Sequence, residues 1–265
     1  MAYRIAIGNN KGGTGKTTTT VQLAAGLAEH GRRVLVVDMD PQANASRRLG
    51  FRFQESDPVP TVSEAIKADT EGIAADVITA TGWTEPYSDR IDLIPARFDL
   101  ENRLSEAAVL GAISRLRKAL AGVDDDYDFT LIDCPPSLGH LTQMSLCAAT
   151  AAVCTLEPEY DAVEGAVRFR DFIRFQADEL KNPDLTVIGY IVNRVRANLG
   201  AHEFQLDGLA DLFGDRVWCR LDERTVIKDA ADAAVPLAQV KNQSARVQAA
   251  AYQELAARVI KEAAA

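Results

Sequence analysis

Short apolar runs alternate with longer amphipathic segments along the chain, and this alternation predicts the fold class. Uninterrupted apolar runs such as residues 34–37 are typical of parallel strands that are buried on both faces. Strands are predicted at residues 3–8, 34–38, 91–95, 128–133, 152–156, 186–193 and, as a shorter element, 216–219. Helices are predicted at residues 16–30, 61–68, 98–121, 138–149, 160–180, 203–213, 226–233 and 243–263. The order predicts an α/β fold whose mostly parallel, twisted sheet is flanked by helices on both faces.

The length and composition fit one domain. The chain has 265 residues, of which 47% are hydrophobic and 25% are charged, so it can bury a large core. Residues 51–60 and 81–90 are predicted to be surface loops, and residues 1–265 are expected to form a single domain. No apolar run is long enough to span a bilayer, and the N-terminus lacks the layout of a signal peptide. We therefore expect a cytoplasmic protein.

A phosphate-binding loop is predicted between the first strand and the first helix. Residues 11–17 read Lys-Gly-Gly-Thr-Gly-Lys-Thr, and glycines let backbone N–H groups approach a polyphosphate closely. The predicted nucleotide-binding residues are Lys11, Gly12, Gly13, Thr14, Gly15, Lys16, Thr17 and Thr18. In such a loop Lys16 reaches the β- and γ-phosphates and the Thr17 hydroxyl binds Mg²⁺. A chance glycine-rich turn is the alternative, but the strand, loop and helix context favours a three-layer P-loop NTPase that binds ATP, ADP and Mg²⁺.

The loop departs from the ordinary P-loop pattern, because Asn10 stands where the first glycine is expected and Lys11 follows it. In this respect the sequence resembles the deviant P-loop of the ParA/MinD family of ATPases. The resemblance implies that Lys11 crosses a dimer interface to the nucleotide of a partner subunit, so that ATP binding produces a sandwich homodimer. A solvated loop lysine is the alternative interpretation of Lys11.

Two carboxylate motifs follow predicted strands, as expected for the ligand crevice of an open α/β sheet. Residues 38–42, Asp-Met-Asp-Pro-Gln, resemble the family's switch, which implies that Asp40 orients the attacking water or acts as its base while Asp38 supports the Mg²⁺ shell. Asp38 and Asp40 are therefore both predicted metal-site residues. A turn role for Asp40 before the proline is the alternative. Residues 129–137 resemble a Walker B strand, which implies that Asp133 holds Mg²⁺ through water. The adjacent Cys134 is expected to be a packing residue.

The predicted strand 186–193 ends in Asn193 and Arg194. In MinD-like relatives an asparagine at the end of this strand contacts the adenine ring, and the resemblance implies this role for Asn193, whose amide offers both a donor and an acceptor. A strand-end turn residue is the alternative interpretation.

Charge alone does not predict DNA binding. The formal net charge is −9, which opposes non-specific binding to phosphate. The family resemblance nevertheless implies an ATP-dependent dimer that binds DNA non-specifically, with a ParB-like centromere-binding adaptor and a nucleoid-associated location. The candidate DNA contacts are Arg194, Arg196, Arg220, Arg224 and Lys228, and a solvated helix face is the alternative for Arg224 and Lys228.

Two further functions are compatible with the same motifs. A ParA-like positioner of a protein cargo would use the same cycle with another adaptor. A MinD-like membrane switch would need a C-terminal amphipathic helix with basic and bulky apolar faces, whereas residues 250–265 are alanine-rich and carry balanced charge. We therefore expect this segment to pack on its own domain, and we expect no membrane association.

Overall fold

The computed structural model describes residues 2–54, 56, 58–196 and 200–265 and contains one eight-stranded sheet. The strands are β1 (Tyr3–Gly8), β2 (Val34–Asp38), β3 (Thr79–Ala80), β4 (Ile91–Ile94), β5 (Phe129–Asp133), β6 (Ala151–Leu156), β7 (Val187–Val195) and β8 (Val217–Asp222). Their spatial order is β3-β4-β2-β5-β1-β6-β7-β8. All neighbouring strands run parallel except β3 and β4, which are antiparallel. The predicted α/β class with a mostly parallel sheet is confirmed.

The helices connect the parallel strands and cover both faces of the sheet. They are α1 (Lys16–Glu29), α2 (Asn44–Arg48), α3 (Val62–Ala68), α4 (Arg115–Ala119), α5 (His140–Ala148), α6 (Tyr160–Phe175), α7 (Gly200–Phe213), α8 (Val226–Asp232) and α9 (Gln243–Ala263). Short 3₁₀ segments lie at Ile73–Val77, Ala112–Ser114, Asp124–Asp126, Gly214–Arg216 and Leu237–Gln239, and a longer one at Phe98–Ala108. No helix among the described residues is both long and apolar enough to cross a membrane.

Alternation along the central strands divides the core into layers. Val34 and Val36 of β2 pack in one cluster with residues of α1 and α9, whereas Leu35 and Val37 belong to a cluster on the opposite face with α3, α4 and α5. All four side chains are fully buried. A strand that is buried on both faces is apolar at every position because successive side chains point to opposite layers.

The C-terminal helix α9 packs against the P-loop helix α1. A Cβ atom added at Gly26 of α1 would lie 2.7 Å from the carbonyl oxygen of Tyr252, which is the close backbone approach that a glycine permits. Tyr252, Leu255 and Val259 are buried on the same face of α9. The apolar face of the last helix is therefore used within the domain, as the sequence predicts.

The structure corrects several predicted elements. Residues 98–121 were predicted to form one helix, but they form the 3₁₀ segment Phe98–Ala108, a second 3₁₀ turn and the short helix α4. Gly111, with φ +81°, interrupts the chain between them. Helix α6 ends at Phe175 instead of residue 180, and both α2 and β3 were not predicted. Of the predicted loop at residues 51–60, Glu55 and Asp57 lie outside the described residues.

The carboxyl ends of β1, β2, β5 and β7 meet at one edge of the sheet, because these strands are parallel and lie near one another. Asp38 at the end of β2 is the register partner of Asp133 at the end of β5. Side chains from segments that are far apart in the sequence therefore meet where an open α/β sheet binds its ligands.

Candidate functional site

The predicted phosphate loop connects β1 to α1 in the structure. Gly13 and Gly15 have φ values of +85° and +87°, a region that L side chains rarely adopt. Gly15 is also sterically restricted, because a Cβ atom there would lie 2.6 Å from Nδ2 of Asn193. Glycine at position 15 is therefore required both by the backbone conformation and by the approach of β7.

The N-terminus of α1 faces the loop without a capping side chain. Gly15 occupies the N-cap position, no side chain caps the helix, and no acidic residue lies in its first turn. Lys16 is 5% exposed, and its Nζ donates to the Lys11 carbonyl oxygen at 3.0 Å. Burial lowers the pKa of Lys16, although the nearby Asp133 opposes this shift. Free N–H groups at a helix N-terminus beside a buried ammonium favour an anionic ligand.

A buried polar network fixes the start of the loop against β6 and α6. Asn9, which is 1% exposed, donates through Nδ2 to the Thr155 carbonyl oxygen at 2.6 Å and accepts the backbone N–H of Lys11 at 2.9 Å. The hydroxyls of Thr14 and Thr155 lie 3.1 Å apart. A Cβ atom at Gly165 of α6 would lie 2.6 Å from Asn9 Oδ1 and 3.3 Å from Lys11 Cβ. The position of Lys11 is therefore coupled to the packing of α6.

The side chain of Lys11 points away from the phosphate loop of its own chain. Its Nζ lies 3.2 Å from Oδ2 of Asp161 in the first turn of α6, and both side chains are substantially exposed. Exposed ion pairs contribute little to stability, so this contact leaves Lys11 free to exchange partners.

Asp133 lies at the floor of the site and is bound by two threonine hydroxyls of α1. Thr17 Oγ1 donates to its Oδ2 at 2.8 Å, and Thr20 Oγ1 donates to its Oδ1 at 3.0 Å. Burial raises the pKa of Asp133 to about 7, with a further contribution from the charge of Asp38. The structure thus brings together the predicted Mg²⁺ residues Thr17 and Asp133.

Asp38 is fully buried and supports the segment that follows β2. Its Oδ2 accepts hydrogen bonds from the Ser46 backbone N–H at 2.8 Å and from Ser46 Oγ at 2.7 Å, and its Oδ1 accepts the Asp40 backbone N–H at 3.1 Å. Ser46 Oγ in turn accepts the Ala96 backbone N–H at 3.0 Å. Burial raises the pKa of Asp38 to about 6. Both oxygens of Asp38 are used within the protein, which favours a supporting role over direct metal ligation.

Asp40 lines an open cleft of about 260 Å³ that we call the P-loop cleft. The predicted residues that also line it are Gly12, Gly13, Gly15, Lys16, Thr17, Thr18 and Arg194. Asp40 Oδ1 accepts the Gln42 backbone N–H at 2.9 Å, so the turn role that a proline-flanked aspartate suggests is present as well. Because Asp40 lies beside both Lys16 and Thr17, its carboxylate is placed to act on a group held in this cleft.

Asn193 lies at the end of β7 and holds the phosphate loop. Its Nδ2 donates to the Thr14 carbonyl oxygen at 2.9 Å and to Thr19 Oγ1 at 3.3 Å. Asn193 also lines a second cleft of about 220 Å³, the β8 cleft, together with Leu221 and residues of α8. Its amide group is thus engaged with the loop and with α1, a role that no sequence motif indicates.

The predicted DNA-contacting residues lie along β7, β8 and α8. Arg194 lines both clefts, whereas Arg224 and Lys228 line the β8 cleft. Arg220 is exposed on β8, which is an edge strand. The ion-paired members are Arg194 with Glu157, Arg196 with Glu223, and Arg224 with Asp222. The structure therefore places Arg224 and Lys228 beside the candidate nucleotide site, and not on a surface remote from it.

The protein groups at the site fit Mg²⁺ only if a bound molecule supplies some of the metal's ligands. Within the described residues, no three His, Cys, Asp or Glu side chains are grouped so that they could hold a metal ion alone. Mg²⁺ characteristically keeps several waters and binds one or two protein groups plus substrate phosphates. The Thr17 hydroxyl at the cleft, backed by Asp133, meets that requirement.

Comparison with known proteins supports the family resemblance. A family model described as an AAA domain matches residues 2–187. The sporulation initiation inhibitor protein Soj of Bacillus subtilis (strain 168) is 38% identical over 231 residues, which cover 85% of this chain and 86% of that protein. The chromosome partitioning protein ParA of Myxococcus xanthus (strain DK1622) is 39% identical over 201 residues, covering 75% of this chain and 68% of that protein. The septum site-determining protein MinD of Pyrococcus horikoshii OT3, solved with Mg-ADP, superimposes with a TM-score of 0.75 at 26% identity, covering 99% of this chain and 98% of that chain.

Proposed function

This chain belongs to the ParA/MinD-type family of P-loop ATPases, and we propose that it is a partition ATPase whose ATP-bound form is a sandwich dimer. The proposal rests on the different positions of two lysines in one loop. Lys16 is buried at the uncapped N-terminus of α1, whereas Lys11 points out of its own site toward Asp161. This geometry supports a role for Lys16 at the nucleotide of its own chain and a role for Lys11 at a second molecule.

We assign nucleotide binding to the phosphate loop and the N-terminus of α1. Backbone N–H groups of Gly12, Gly13 and Gly15 would cradle the phosphates, and Lys16 would exchange its hydrogen bond with the Lys11 carbonyl oxygen for phosphate oxygens. Mg²⁺, when bound, neutralises charge on the β- and γ-phosphates. Thr17 would ligate it, and Asp133 would hold Thr17 and the metal's waters in place.

We assign hydrolysis to Asp40 with support from Asp38. Asp40 lines the P-loop cleft beside Lys16 and Thr17, where its carboxylate can orient a water for attack on the terminal phosphate. Asp38 binds the backbone N–H of Asp40 and anchors Ser46, so it fixes the segment that carries Asp40. Asn193, in addition to holding Thr14, lines the β8 cleft in which the adenine base is proposed to lie.

We further propose that the dimer binds DNA non-specifically and that a ParB-like adaptor stimulates hydrolysis and release. The arginines at the ends of β7 and β8 are the proposed phosphate contacts, because Arg194, Arg196 and Arg224 are about half-exposed in their ion pairs and exchange partners easily. The protein would then be cytoplasmic and nucleoid-associated. The packing of α9 on α1 favours this cycle over a MinD-like membrane switch, whereas a protein cargo in place of DNA cargo would use the same residues.

A nucleotide-binding and dimerisation experiment tests the roles of the two lysines. Lys16→Ala is expected to abolish ATP binding, whereas Lys11→Ala should bind ATP normally but fail to dimerise in light scattering with a non-hydrolysable ATP analogue. Lys67→Ala, at an exposed position of α3, is the matched control. Asp40→Ala should bind ATP, dimerise and not turn over. Unchanged dimerisation of Lys11→Ala would remove this lysine from the interface.

Gel shift with a long non-specific duplex tests the DNA proposal. We expect binding with ATP but not with ADP or without nucleotide, and we expect that affinity to fall steeply as salt rises, because phosphate contacts release counterions. A protein that hydrolyses ATP but binds DNA in none of these states would refute the DNA-partitioning proposal while leaving the ATPase assignment intact.

A further inference from the structure

Arg48 occupies a position in the site that the sequence analysis did not single out. It is the last residue of α2, the short helix that follows the Asp40 turn. The same helix contains Ser46, whose backbone and hydroxyl are both bound by buried Asp38. The Arg48 carbonyl oxygen accepts a hydrogen bond from Trp83 Nε1 at 2.9 Å. The contacts of Ser46 and of the Arg48 carbonyl oxygen therefore fix the position of the backbone from which the Arg48 side chain extends.

The guanidinium of Arg48 lies where the P-loop cleft and the β8 cleft meet. Arg48 lines both clefts, as do Gly15 and Thr18 at the start of α1. One of its nitrogens donates to Thr18 Oγ1 at 2.8 Å. A guanidinium offers five N–H donors, so among the contacts of the described residues most of the donors of Arg48 remain available to a molecule in the clefts.

Arg48 also differs from the other arginines around the site in its charge environment. Arg194 and Arg224 each form an ion pair with a carboxylate. In the part of the chain that the structure describes, no carboxylate oxygen lies within ion-pair distance of Arg48. The side chain is half-buried, and burial lowers the pKa of Arg48. Asp133 and Asp232 partly oppose this shift from beyond ion-pair distance, and a desolvated cation with no directly paired carboxylate favours the binding of an anion.

We propose that Arg48 is a nucleotide-binding residue that contacts the phosphate chain at its α-phosphate end. This inference rests on the proposed ATPase function and adds a ligand to the same site. In the proposed function Lys16 binds the β- and γ-phosphates and Thr17 binds Mg²⁺. Arg48 binds Thr18, which lies one residue further along α1 and, unlike Thr17, lines the β8 cleft as well as the P-loop cleft. A planar guanidinium that bridges the two clefts can donate two parallel hydrogen bonds to a phosphate from a rigid fork, a geometry that the lysine ammonium lacks.

This location predicts a characteristic pattern of affinities. The α-phosphate is common to ATP and ADP, so loss of Arg48 should weaken the binding of both nucleotides by a similar factor. A charge-assisted hydrogen bond lost from a buried site corresponds to a decrease in affinity of about tenfold or more. Arg48→Lys keeps the charge but not the fork geometry, and we expect it to fall between the wild type and Arg48→Gln.

Calorimetric titration of the full chain with ADP and, separately, with AMP-PNP in the presence of Mg²⁺ tests the proposal. Arg47→Gln is the matched control, because Arg47 is exposed, lies on the same helix and binds Asn44 instead of lining the P-loop cleft. We expect Arg48→Gln to bind both nucleotides at least tenfold more weakly and Arg47→Gln to bind them as the wild type does. The thermal midpoint without nucleotide should stay close to that of the wild type, which separates ligand binding from a structural role.

Several outcomes would overturn the inference. Affinities of Arg48→Gln within twofold of the wild type for both nucleotides would show that Arg48 does not bind the ligand. A loss confined to AMP-PNP would place Arg48 at the γ-phosphate. If Arg48→Gln is unfolded, Arg48→Lys decides the matter, because wild-type affinity in that variant contradicts a fork-specific contact. A wild-type protein that binds neither nucleotide would instead refute the proposed function itself.

Discussion

Replacement of Gly165 by alanine should destabilise the protein even though it improves helix propensity. Gly165 is a buried interior residue of α6, where glycine costs about 1 kcal/mol relative to alanine. The added methyl group would lie 2.6 Å from Asn9 Oδ1, which is far inside van der Waals contact. Asn9 cannot move without cost, because its side chain binds the Lys11 backbone N–H and the Thr155 carbonyl oxygen.

The magnitude follows from these opposing contributions. Overpacking of a well-packed interior costs about 1–3 kcal/mol, and displacement of Asn9 leaves buried polar groups unpaired at about 1–3 kcal/mol each. With one polar group left unpaired and the gain of about 1 kcal/mol in propensity subtracted, we expect a net loss of about 1–5 kcal/mol in the free energy of unfolding. With a urea dependence of about 3 kcal/mol per M, the unfolding midpoint should fall by roughly 0.3–1.7 M.

Urea unfolding of Gly165→Ala and of Gly208→Ala provides a matched pair. Gly208 is a partly exposed interior residue of α7, and a Cβ atom there meets nothing within 4 Å. Gly208→Ala should therefore be stabilised by about 0.5–1 kcal/mol, with a higher midpoint than the wild type. Equal stabilisation of the two variants would refute this prediction, because the close approach of α6 to Asn9 would then make no difference to the free energy of unfolding.

Further predictions concern buried charges. Asp124→Ala should lower the free energy of unfolding by about 3–5 kcal/mol in urea titration, because it leaves Arg4 buried without the bidentate partner at 2.6 and 2.8 Å; a loss below 1 kcal/mol would contradict this. Ser46→Ala removes a hydrogen bond to Asp38 and should cost about 1–3 kcal/mol by the same measurement, and an unchanged midpoint would show that the contact is dispensable. Because burial raises the pKa of Asp133 to about 7 and that of Asp38 to about 6, the folded state binds protons more tightly than the unfolded chain, so stability in metal-free buffer should fall as pH rises from 5 to 8. Thermal midpoints measured from pH 5 to 8 test the sign of this dependence, and the midpoint of Asp133→Asn should fall less with pH than that of the wild type. If the wild-type midpoint instead rises with pH relative to that of Asp133→Asn, the raised pKa of Asp133 is refuted.

Hydrophobic patterning predicts the sheet well because buried parallel strands are apolar without interruption. The predicted strands 3–8 and 34–38 coincide with β1 and β2. The pattern fails at residues 98–121, where charged and apolar residues follow helical spacing but the chain forms 3₁₀ turns. Glu106 forms ion pairs with both Arg103 and Arg115 there. This cluster accompanies the 3₁₀ conformation, which the spacing of apolar residues does not distinguish from an α-helix.

The candidate site was predictable where its chemistry is local in sequence. The glycines of the loop, Lys16 and Asp133 follow from motifs whose spacing has a physical reason. Arg48 and the loop-holding role of Asn193 could not be predicted in this way, because each depends on a contact with α1 or the phosphate loop from a distant segment. No property of the residues near Arg48 in the sequence indicates that its side chain meets Thr18.

The packing of α9 on α1 has a consequence for synthesis of the protein on the ribosome. The phosphate loop is made first, but Asn193, which binds Thr14, and Tyr252, which packs on Gly26, are translated 179 and more than 220 residues later. Contacts of such long sequence separation form slowly, after a large loss of chain entropy. A nascent chain therefore exposes the apolar face of α1 until α9 has been made, and its phosphate loop lacks the contact with Asn193 until β7 has been made.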